Sequence, residues 1–207
     1  MIEFDYTGVV FAVGLIVGVT LDLLLLRTLL APPFRIWPTP EPGSWQSLTF
    51  WGLFRGGMVL TFVVAVLDWN SAGLVDLSRL IIGLPLFLVG FGITVCGYFN
   101  LGLGNTYCGA DGLVSHGLYR FSRNPQYASS IMGLVGLVIC ADSWLALPLA
   151  ALMSGAYVLM ALVEEAWLDA RYGASYHAYC ERTARFFDVQ GLVMAMIEKR
   201  QPSRRVS

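Results

Sequence analysis

Residues 80–99 read LIIGLPLFLVGFGITVCGYF, twenty residues without a charged side chain. A helix of about 20 apolar residues is long enough to cross the hydrocarbon core of a bilayer. The run is continuous and does not alternate between apolar and polar residues, as the strands of a membrane barrel do. This stretch therefore predicts a membrane-spanning helix.

Four other apolar segments accompany it, at residues 8–30, 48–67, 127–141 and 144–163. Asp22 and Arg27 interrupt the first segment, and Arg55 lies in the second. These three charges either form a polar network within the membrane or lie near helix ends. The first segment lacks a basic leader and a small-residue cleavage site, so it is interpreted as a retained span rather than a signal peptide.

The composition agrees with a membrane protein. Of 207 residues, 57% are hydrophobic and only 13% are charged, whereas soluble domains carry about a quarter charged residues. The net charge of −1 gives no basic field for a nucleic acid. Two histidines and four scattered cysteines show no metal-ligand or disulfide spacing, so no metal is expected. We predict an all-α polytopic membrane protein of about five transmembrane helices, forming a single domain over residues 1–207.

The distribution of arginine and lysine predicts the orientation. With five spans, one side of the membrane carries nearly all basic residues, and the other carries Arg79 with several acidic residues. Because basic loops stay in the cytoplasm, we expect the N-terminus outside and the C-terminus in the cytoplasm, as a cap on the protein. Residues 187–207 are expected to be an interfacial or a flexible tail, and a bacterial inner membrane is compatible with these features.

The stretch GLYRFSRNPQY, residues 117–127, contains the first candidate site. Asn124 followed by Pro125 is a strong helix-start signal. A helix N-terminus attracts anions, and Arg120 and Arg123 would add positive charge beside it. The stretch indicates either a site for a carboxylate or phosphate or arginines that extend to lipid headgroups.

A second candidate site follows the last apolar segment. Glu164 and Glu165 come directly after it, and carboxylates near the membrane are costly and often functional. They could hold an ammonium group or ribose hydroxyls, or belong to a surface charge network. His116 is a possible proton acceptor, and the lone pair Gly102 and Gly104 would let the backbone approach a ligand.

These elements occur in a particular order. A Gly-x-Tyr-Arg-x-x-Arg-Asn-Pro-x-Tyr stretch precedes a helical hairpin, then Glu-Glu, then Tyr-Gly-x-x-Tyr-x-x-Tyr and Arg-Phe. The ordered set resembles the isoprenylcysteine carboxyl methyltransferase and phospholipid methyltransferase superfamily over about residues 101–186. The resemblance implies an integral membrane methyltransferase that depends on S-adenosyl-L-methionine (SAM), with the cofactor in a cytoplasmic pocket and a lipophilic acceptor entering from the lipid.

The resemblance also implies the site residues. Those expected to bind SAM are Gly102, Gly104, Tyr119, Asn124, Pro125, Tyr127, Glu164, Glu165, Tyr176, Tyr179 and Arg185. Arg123 and His116 are the expected catalytic residues, and Arg123 with Glu165 is expected to be required for SAM binding. Asn124 stands where the carboxyl methyltransferases usually have histidine, and Ala184 stands where a proline is common.

The acceptor stays open at this point. Asparagine at position 124 is similar to the phospholipid N-methyltransferases, which favours a phospholipid amine, with an isoprenylcysteine-type carboxylate second and a small thiol or amine third. An NADPH-dependent membrane reductase of the sterol-reductase type and a non-catalytic membrane scaffold are the alternative functions. The oligomeric state is not predicted.

Overall fold

The computed structural model describes residues 5–101 and 112–186. Its helices are α1 (Tyr6–Leu30), α2 (Trp45–Leu67), α3 (Leu84–Leu101), α4 (Pro125–Ala141), α5 (Ala146–Tyr172) and α6 (Ala174–Cys180). A short helix, Asp76–Ser78, and a π-helical turn, Arg79–Gly83, lead directly into α3, and a 3₁₀ turn, Gly117–Arg120, precedes α4. No strand occurs within the described ranges, so the all-α prediction is confirmed.

Four helical stretches are long and apolar enough to cross a membrane: Tyr6–Leu30, Trp45–Leu67, Asp76–Phe99 and Ala146–Tyr172. The fifth apolar helix, Pro125–Ala141, has 17 residues, about 25 Å at 1.5 Å per residue. Its partner α5 has 27 residues, about 40 Å, which exceeds a hydrocarbon core of about 30 Å. The last turns of α5 therefore extend beyond the apolar layer.

Glycines permit the closest helix contact, between α3 and α4. Added Cβ atoms at Gly90 and Gly136 would overlap the backbone of the facing helix at Gly133 and Phe87. Small residues let membrane helices approach until their backbones touch, which replaces the hydrophobic effect as the source of cohesion in lipid. The contact holds the second half of α4 against the first half of α3.

Helices α1 and α5 pack in parallel. Gly14 and Gly18, four residues apart on α1, face Leu149 and Leu152 of α5, and Asp22, one turn further, lies against Gly155 of α5. Since all three pairs of positions advance together along the chain, α1 and α5 run in the same direction.

Of the two alternatives for Asp22, Arg27 and Arg55, the structure does not show the polar network. No ion pair joins Asp22 to Arg27 or Arg55 in the described part of the chain. The Arg27 guanidinium lies 4.4 Å from the ring centre of Phe34, and that of Arg55 lies 4.9 Å from the ring centre of Trp51. Each arginine contacts an aromatic ring instead of a carboxylate.

The two ends of the bundle have different polar structures. The tight hairpin predicted at Asp142-Ser143 joins α4 to α5, and Asp142 adopts a left-handed conformation with φ 53°. Its two carboxylate oxygens accept the backbone N–H of Leu74 at 3.1 and 2.9 Å. We call this the hairpin end. The opposite end, which holds the beginning of α4 and the end of α5, we call the site end.

The segment between α1 and α2 covers part of the site end. The Ile36 backbone N–H donates to Thr28 Oγ1 at 3.1 Å, and the Trp37 ring stacks on Phe50 with ring centres 4.5 Å apart. The Pro32–Pro33 and Trp37–Pro38 peptide bonds are cis. Trp37 is therefore fixed inside the bundle, although it lies in a loop.

Candidate active site

The beginning of α4 is built as the sequence predicts, with one difference. Asn124 occupies the N-cap position and Pro125 the first position of the helix. The Asn124 side chain, however, does not cap the helix. Its Nδ2 donates to the Arg185 carbonyl at 3.0 Å, so the amide joins α4 to the chain after α6.

Residues 181–186, the closing segment, are attached to the beginning of α4 by backbone hydrogen bonds. The N–H of Arg123 donates to the Ala184 carbonyl at 2.9 Å, and the N–H of Asn124 donates to the Arg185 carbonyl at 3.1 Å. These bonds bring the Arg-Asn-Pro and Arg-Phe motifs together in space. Residues 181–186 thus lie at the site end, and the cytoplasmic location predicted for the C-terminal cap is treated below as a proposal.

Glu165 lies between two arginines. Arg123 Nη2 is 3.2 Å from Glu165 Oε1, and Arg185 Nη2 is 2.8 Å from Glu165 Oε2. The hydrogen bond and the charge of Glu165 raise the pKa of Arg185 above its ordinary value. The Glu165 carboxylate is thus committed to holding Arg123 and the closing segment, which makes it a positioning residue.

Glu164 faces a different neighbour. Tyr127 Oη donates to Glu164 Oε2 at 2.6 Å, which links α4 to α5. Adjacent residues on a helix point about 100° apart, so the two glutamates serve separate parts of the site. A surface pair of the alternative kind occurs one turn after Glu165 on α5, where Asp169 lies 2.9 Å from the exposed His177.

A cleft of about 650 Å³, the open space at its mouth included, occupies the site end. The lining residues are Gly112, Leu113, Val114, Tyr119, Arg123, Asn124, Gln126, Tyr127, Glu164, Trp167, Leu168, Tyr172 and Tyr179. Arg123 Nε is buried there without a hydrogen-bond partner in the described structure.

Tyrosines stabilise the wall of the cleft. Tyr179 Oη donates to the Tyr119 carbonyl at 2.6 Å, which fastens α6 to the 3₁₀ turn. Burial raises the pKa of Tyr119, Tyr176 and Tyr179 above that of a free phenol, and the negative charge of Glu165 adds to the shift at Tyr176. All three phenols are therefore protonated at physiological pH.

A second cavity, the aromatic chamber, adjoins the cleft and encloses about 440 Å³, open space included. Its lining residues are Trp37, Trp51, Phe54, Thr94, Tyr98, Gln126, Tyr127, Ser130, Tyr157, Met160 and Glu164. Gln126, Tyr127 and Glu164 line both cavities. We call these three residues the junction.

Six of the predicted site residues line the cleft: Tyr119, Arg123, Asn124, Tyr127, Glu164 and Tyr179. Glu165, Tyr176 and Arg185 lie next to it and do not line it, and Pro125 starts α4. His116 is exposed and is not part of the lining, and Arg120 is also exposed. Gly102 and Gly104 fall outside the described residues. The roles assigned to these residues stay predictions.

Several lining residues were not found from the sequence. Trp167 and Leu168 follow Glu164 by three and four positions, so helical periodicity alone could have placed them on its face. Gln126 follows Pro125 within the motif. Trp37, Trp51 and Phe54 carry no recognisable motif, and only the tertiary structure brings them to the site.

The fold and the two cavities first define a class, an integral membrane protein with two neighbouring cavities at one end of its helical bundle. Comparison with known families then identifies the segment that carries the site. Residues 78–175 match the phospholipid methyltransferase family model, which confirms the resemblance stated from the sequence. At this level the match indicates a methyltransferase that acts on a membrane lipid-type substrate. No curated protein and no solved structure matches the chain.

Proposed function

We propose that the protein transfers a methyl group from SAM in the cleft to a lipophilic acceptor in the aromatic chamber. The observation that carries this proposal is the junction, where Gln126, Tyr127 and Glu164 line both cavities. Methyl transfer requires the donor and acceptor atoms in line and in contact, more than it requires acid–base catalysis. Two cavities that share lining residues would bring a donor and an acceptor next to each other.

The cleft residues fit SAM. Its carboxylate needs a buried cationic donor, and Arg123 Nε is buried and has no partner within the described structure. The Glu164 carboxylate suits the ammonium group or the ribose hydroxyls, and Trp167 and Tyr172 offer aromatic faces for the adenine or the sulfonium. When bound, SAM supplies an electrophilic methyl group whose bond to sulfur breaks as the bond to the acceptor forms.

The chamber suits an acceptor that arrives from the bilayer. Aromatic rings form much of its wall, including those of Trp37, Phe54 and Tyr157. A phospholipid amine is the first candidate, and an isoprenylcysteine-type carboxylate is the second. An amine has to lose a proton to react, and Glu164 at the junction is better placed to accept it than the exposed His116.

We also propose that the site end faces the cytoplasm of a bacterial inner membrane. Arg27, Arg35, Arg120, Arg171 and Arg182 lie in the helix ends and loops of this end. Arg79 is the single arginine at the hairpin end among the described residues. Basic residues are enriched on the cytoplasmic side of membrane proteins.

The test is calorimetric titration of the protein in mild detergent with S-adenosylhomocysteine, the product form of the cofactor, and with NADPH in parallel. We expect saturable binding of S-adenosylhomocysteine and none of NADPH. Arg123→Ala should weaken this binding about a hundredfold, since it removes a buried charge-assisted contact.

Arg120→Ala is the matched control, because Arg120 is exposed at the end of the preceding 3₁₀ turn, three residues before Arg123, and its loss should leave the affinity unchanged. Binding of NADPH without S-adenosylhomocysteine would move the protein to the reductases. Binding of neither ligand to folded protein would favour the scaffold. With S-adenosylhomocysteine binding established, transfer from labelled SAM to phospholipid amines and to prenylated carboxylates would identify the acceptor.

A further inference from the structure

Arg55 is a charged residue exposed on a membrane-spanning helix. It lies in the candidate span Trp45–Leu67 and is exposed, and no carboxylate in the described part of the chain forms an ion pair with it. A charge in such a position is costly and marks a functional site by default. The methyltransferase family match, residues 78–175, does not include it.

The position of Arg55 connects it to the aromatic chamber. Its guanidinium lies over the Trp51 ring at 4.9 Å, and Trp51 lines the chamber. Side chains on a helix lean toward its N-terminus, and the N-terminus of α2 is at the site end. Arg55 therefore presents its cation at the exposed edge of the chamber, displaced from its own Cα toward the site end.

The interior of the chamber contains a hydrogen-bond donor without a partner. Gln126 Nε2 is buried and makes no hydrogen bond in the described structure. Gln126 is more than nine-tenths buried and lines the chamber. Since buried N–H groups are almost always paired, this donor indicates a ligand that carries acceptor oxygens.

The charges of the chamber are arranged in a definite order. Arg55 provides a cation at the exposed edge, and Trp51 and Trp37, with ring centres 5.9 Å apart, separate it from the Glu164 carboxylate at the junction. A ligand whose anionic group lies toward the bilayer and whose reactive amine lies toward the junction complements this order. An acceptor carboxylate at the junction would instead meet the like charge of Glu164.

We propose that Arg55 binds the phosphate of the acceptor lipid at the edge of the chamber, and that it thereby selects lipids with a phosphodiester next to the reactive group. The guanidinium binds phosphate through two parallel hydrogen bonds, and stacking on Trp51 holds it ready. This inference rests on the proposed function and adds a specificity-determining residue to it, from a helix outside the methyltransferase segment.

The test measures lipid binding without turnover. Lipid-depleted protein in detergent is titrated with short-chain phosphatidylethanolamine and with the diacylglycerol of the same chain length, and tryptophan fluorescence reports binding. Arg55→Gln should weaken the phospholipid affinity about tenfold, the loss of one charge-assisted contact. The diacylglycerol affinity should not change. The phospholipid affinity of Arg55→Lys should lie between those of the wild-type protein and Arg55→Gln.

Arg27→Gln is the matched control. Arg27 also stacks on a ring at the site end, that of Phe34, but neither residue lines the chamber. Equal losses in Arg55→Gln and Arg27→Gln, or equal losses for both lipids, would overturn the proposal. Competition by inorganic phosphate at the same concentrations would overturn the assignment to a lipid phosphate.

A kinetic measurement adds a second readout. In labelled methyl transfer to phosphatidylethanolamine, Arg55→Gln should raise KM and leave kcat unchanged, because Arg55 contacts a group remote from the reacting atoms. A fall in kcat at constant KM would contradict the proposal. Failure of S-adenosylhomocysteine to bind the wild-type protein would refute the proposed function alone, since the lipid titration does not depend on it.

Discussion

The hairpin end and the site end carry similar polar residues but treat them differently. At the hairpin end, Asp68 accepts hydrogen bonds from Ser71 Oγ, Ser143 Oγ and the Leu145 N–H, and Arg79 Nε donates to the Cys140 carbonyl. No unpartnered buried side-chain atom was found among the described residues of this end. At the site end, Arg123 and Gln126 each keep a buried side-chain nitrogen without a partner.

The difference separates stability from binding. An unpaired buried polar group costs about 1–3 kcal/mol of folding stability. Several such groups at one place are therefore expected where they serve ligand binding. The hairpin end uses its polar groups to fix the loops, whereas the site end keeps donors available beside two cavities. Changes at the two ends should therefore affect different measurements.

The largest expected effect is on cofactor affinity. Glu165→Gln removes the ion pairs to Arg123 and Arg185, and we expect the affinity for S-adenosylhomocysteine to fall at least about a hundredfold, since breaking a partly buried ion pair misplaces the remaining charge. Calorimetry measures the affinity. Glu181→Gln is the matched control, because Glu181 is exposed on the closing segment. Equal affinities in both variants would show that Glu165 does not position the site.

A change at the hairpin end should lower the stability of the protein and leave its cofactor affinity unchanged. Asp142→Ala removes both hydrogen bonds to the Leu74 N–H and places alanine in a left-handed conformation, so we expect a loss of about 2 kcal/mol in the free energy of unfolding. Thermal unfolding in detergent measures it, with S-adenosylhomocysteine affinity retained in the folded fraction. Asp76→Ala is the control, since the Asp76 side chain is 90% exposed. A loss of affinity without a loss of stability would erase the distinction between the two ends.

A smaller effect connects the wall of the cleft to binding. Tyr179→Phe deletes the hydrogen bond to the Tyr119 carbonyl and keeps the ring, and a single neutral hydrogen bond contributes about 1 kcal/mol. We expect S-adenosylhomocysteine affinity to fall about fivefold. Tyr172→Phe serves as the comparison within the same cleft. A larger loss in Tyr172→Phe would indicate that direct contact with the ligand matters more than the attachment of α6.

The sequence predicted the fold well because its strongest signals are local. Runs of apolar residues, Asn124-Pro125 and Asp142-Ser143 mark helices and their ends without any tertiary information. The family motifs then placed six residues in the cleft. The role of Asn124 differed from the prediction because its amide found a tertiary partner, the Arg185 carbonyl, in place of the local cap.

The chamber could not be predicted in the same way. Trp37 belongs to a loop, and Trp51 and Phe54 occupy positions on α2 that any apolar residue could fill. Their importance arises from the packing of α2 against α4 and α5, which brings distant segments around Glu164. Arg55 was noticed as a charge in a span, but only its contact with Trp51 relates it to the site.

The smallest expected effect concerns the pH dependence of the hairpin end. Burial would raise the pKa of Asp68, but the hydrogen bonds from Ser143, Leu145 and Ser71 outweigh it and lower the pKa below the ordinary value. A carboxyl with a lowered pKa in the folded protein contributes stability above its unfolded pKa of about 3.9. That contribution is lost as the pH falls through the folded value.

The free energy of unfolding of the wild-type protein and of Asp68→Asn is measured between pH 3 and 7. At neutral pH the two values should differ by less than about 1 kcal/mol, because Asp68 is near the surface. The difference should shrink below a pH of about 4 as the wild-type carboxylate becomes protonated. Asp76→Asn, at an exposed carboxylate of the same end, should show no such convergence. A difference that grew on acidification would mean that the folded protein stabilises the neutral form of Asp68, which would contradict its lowered pKa.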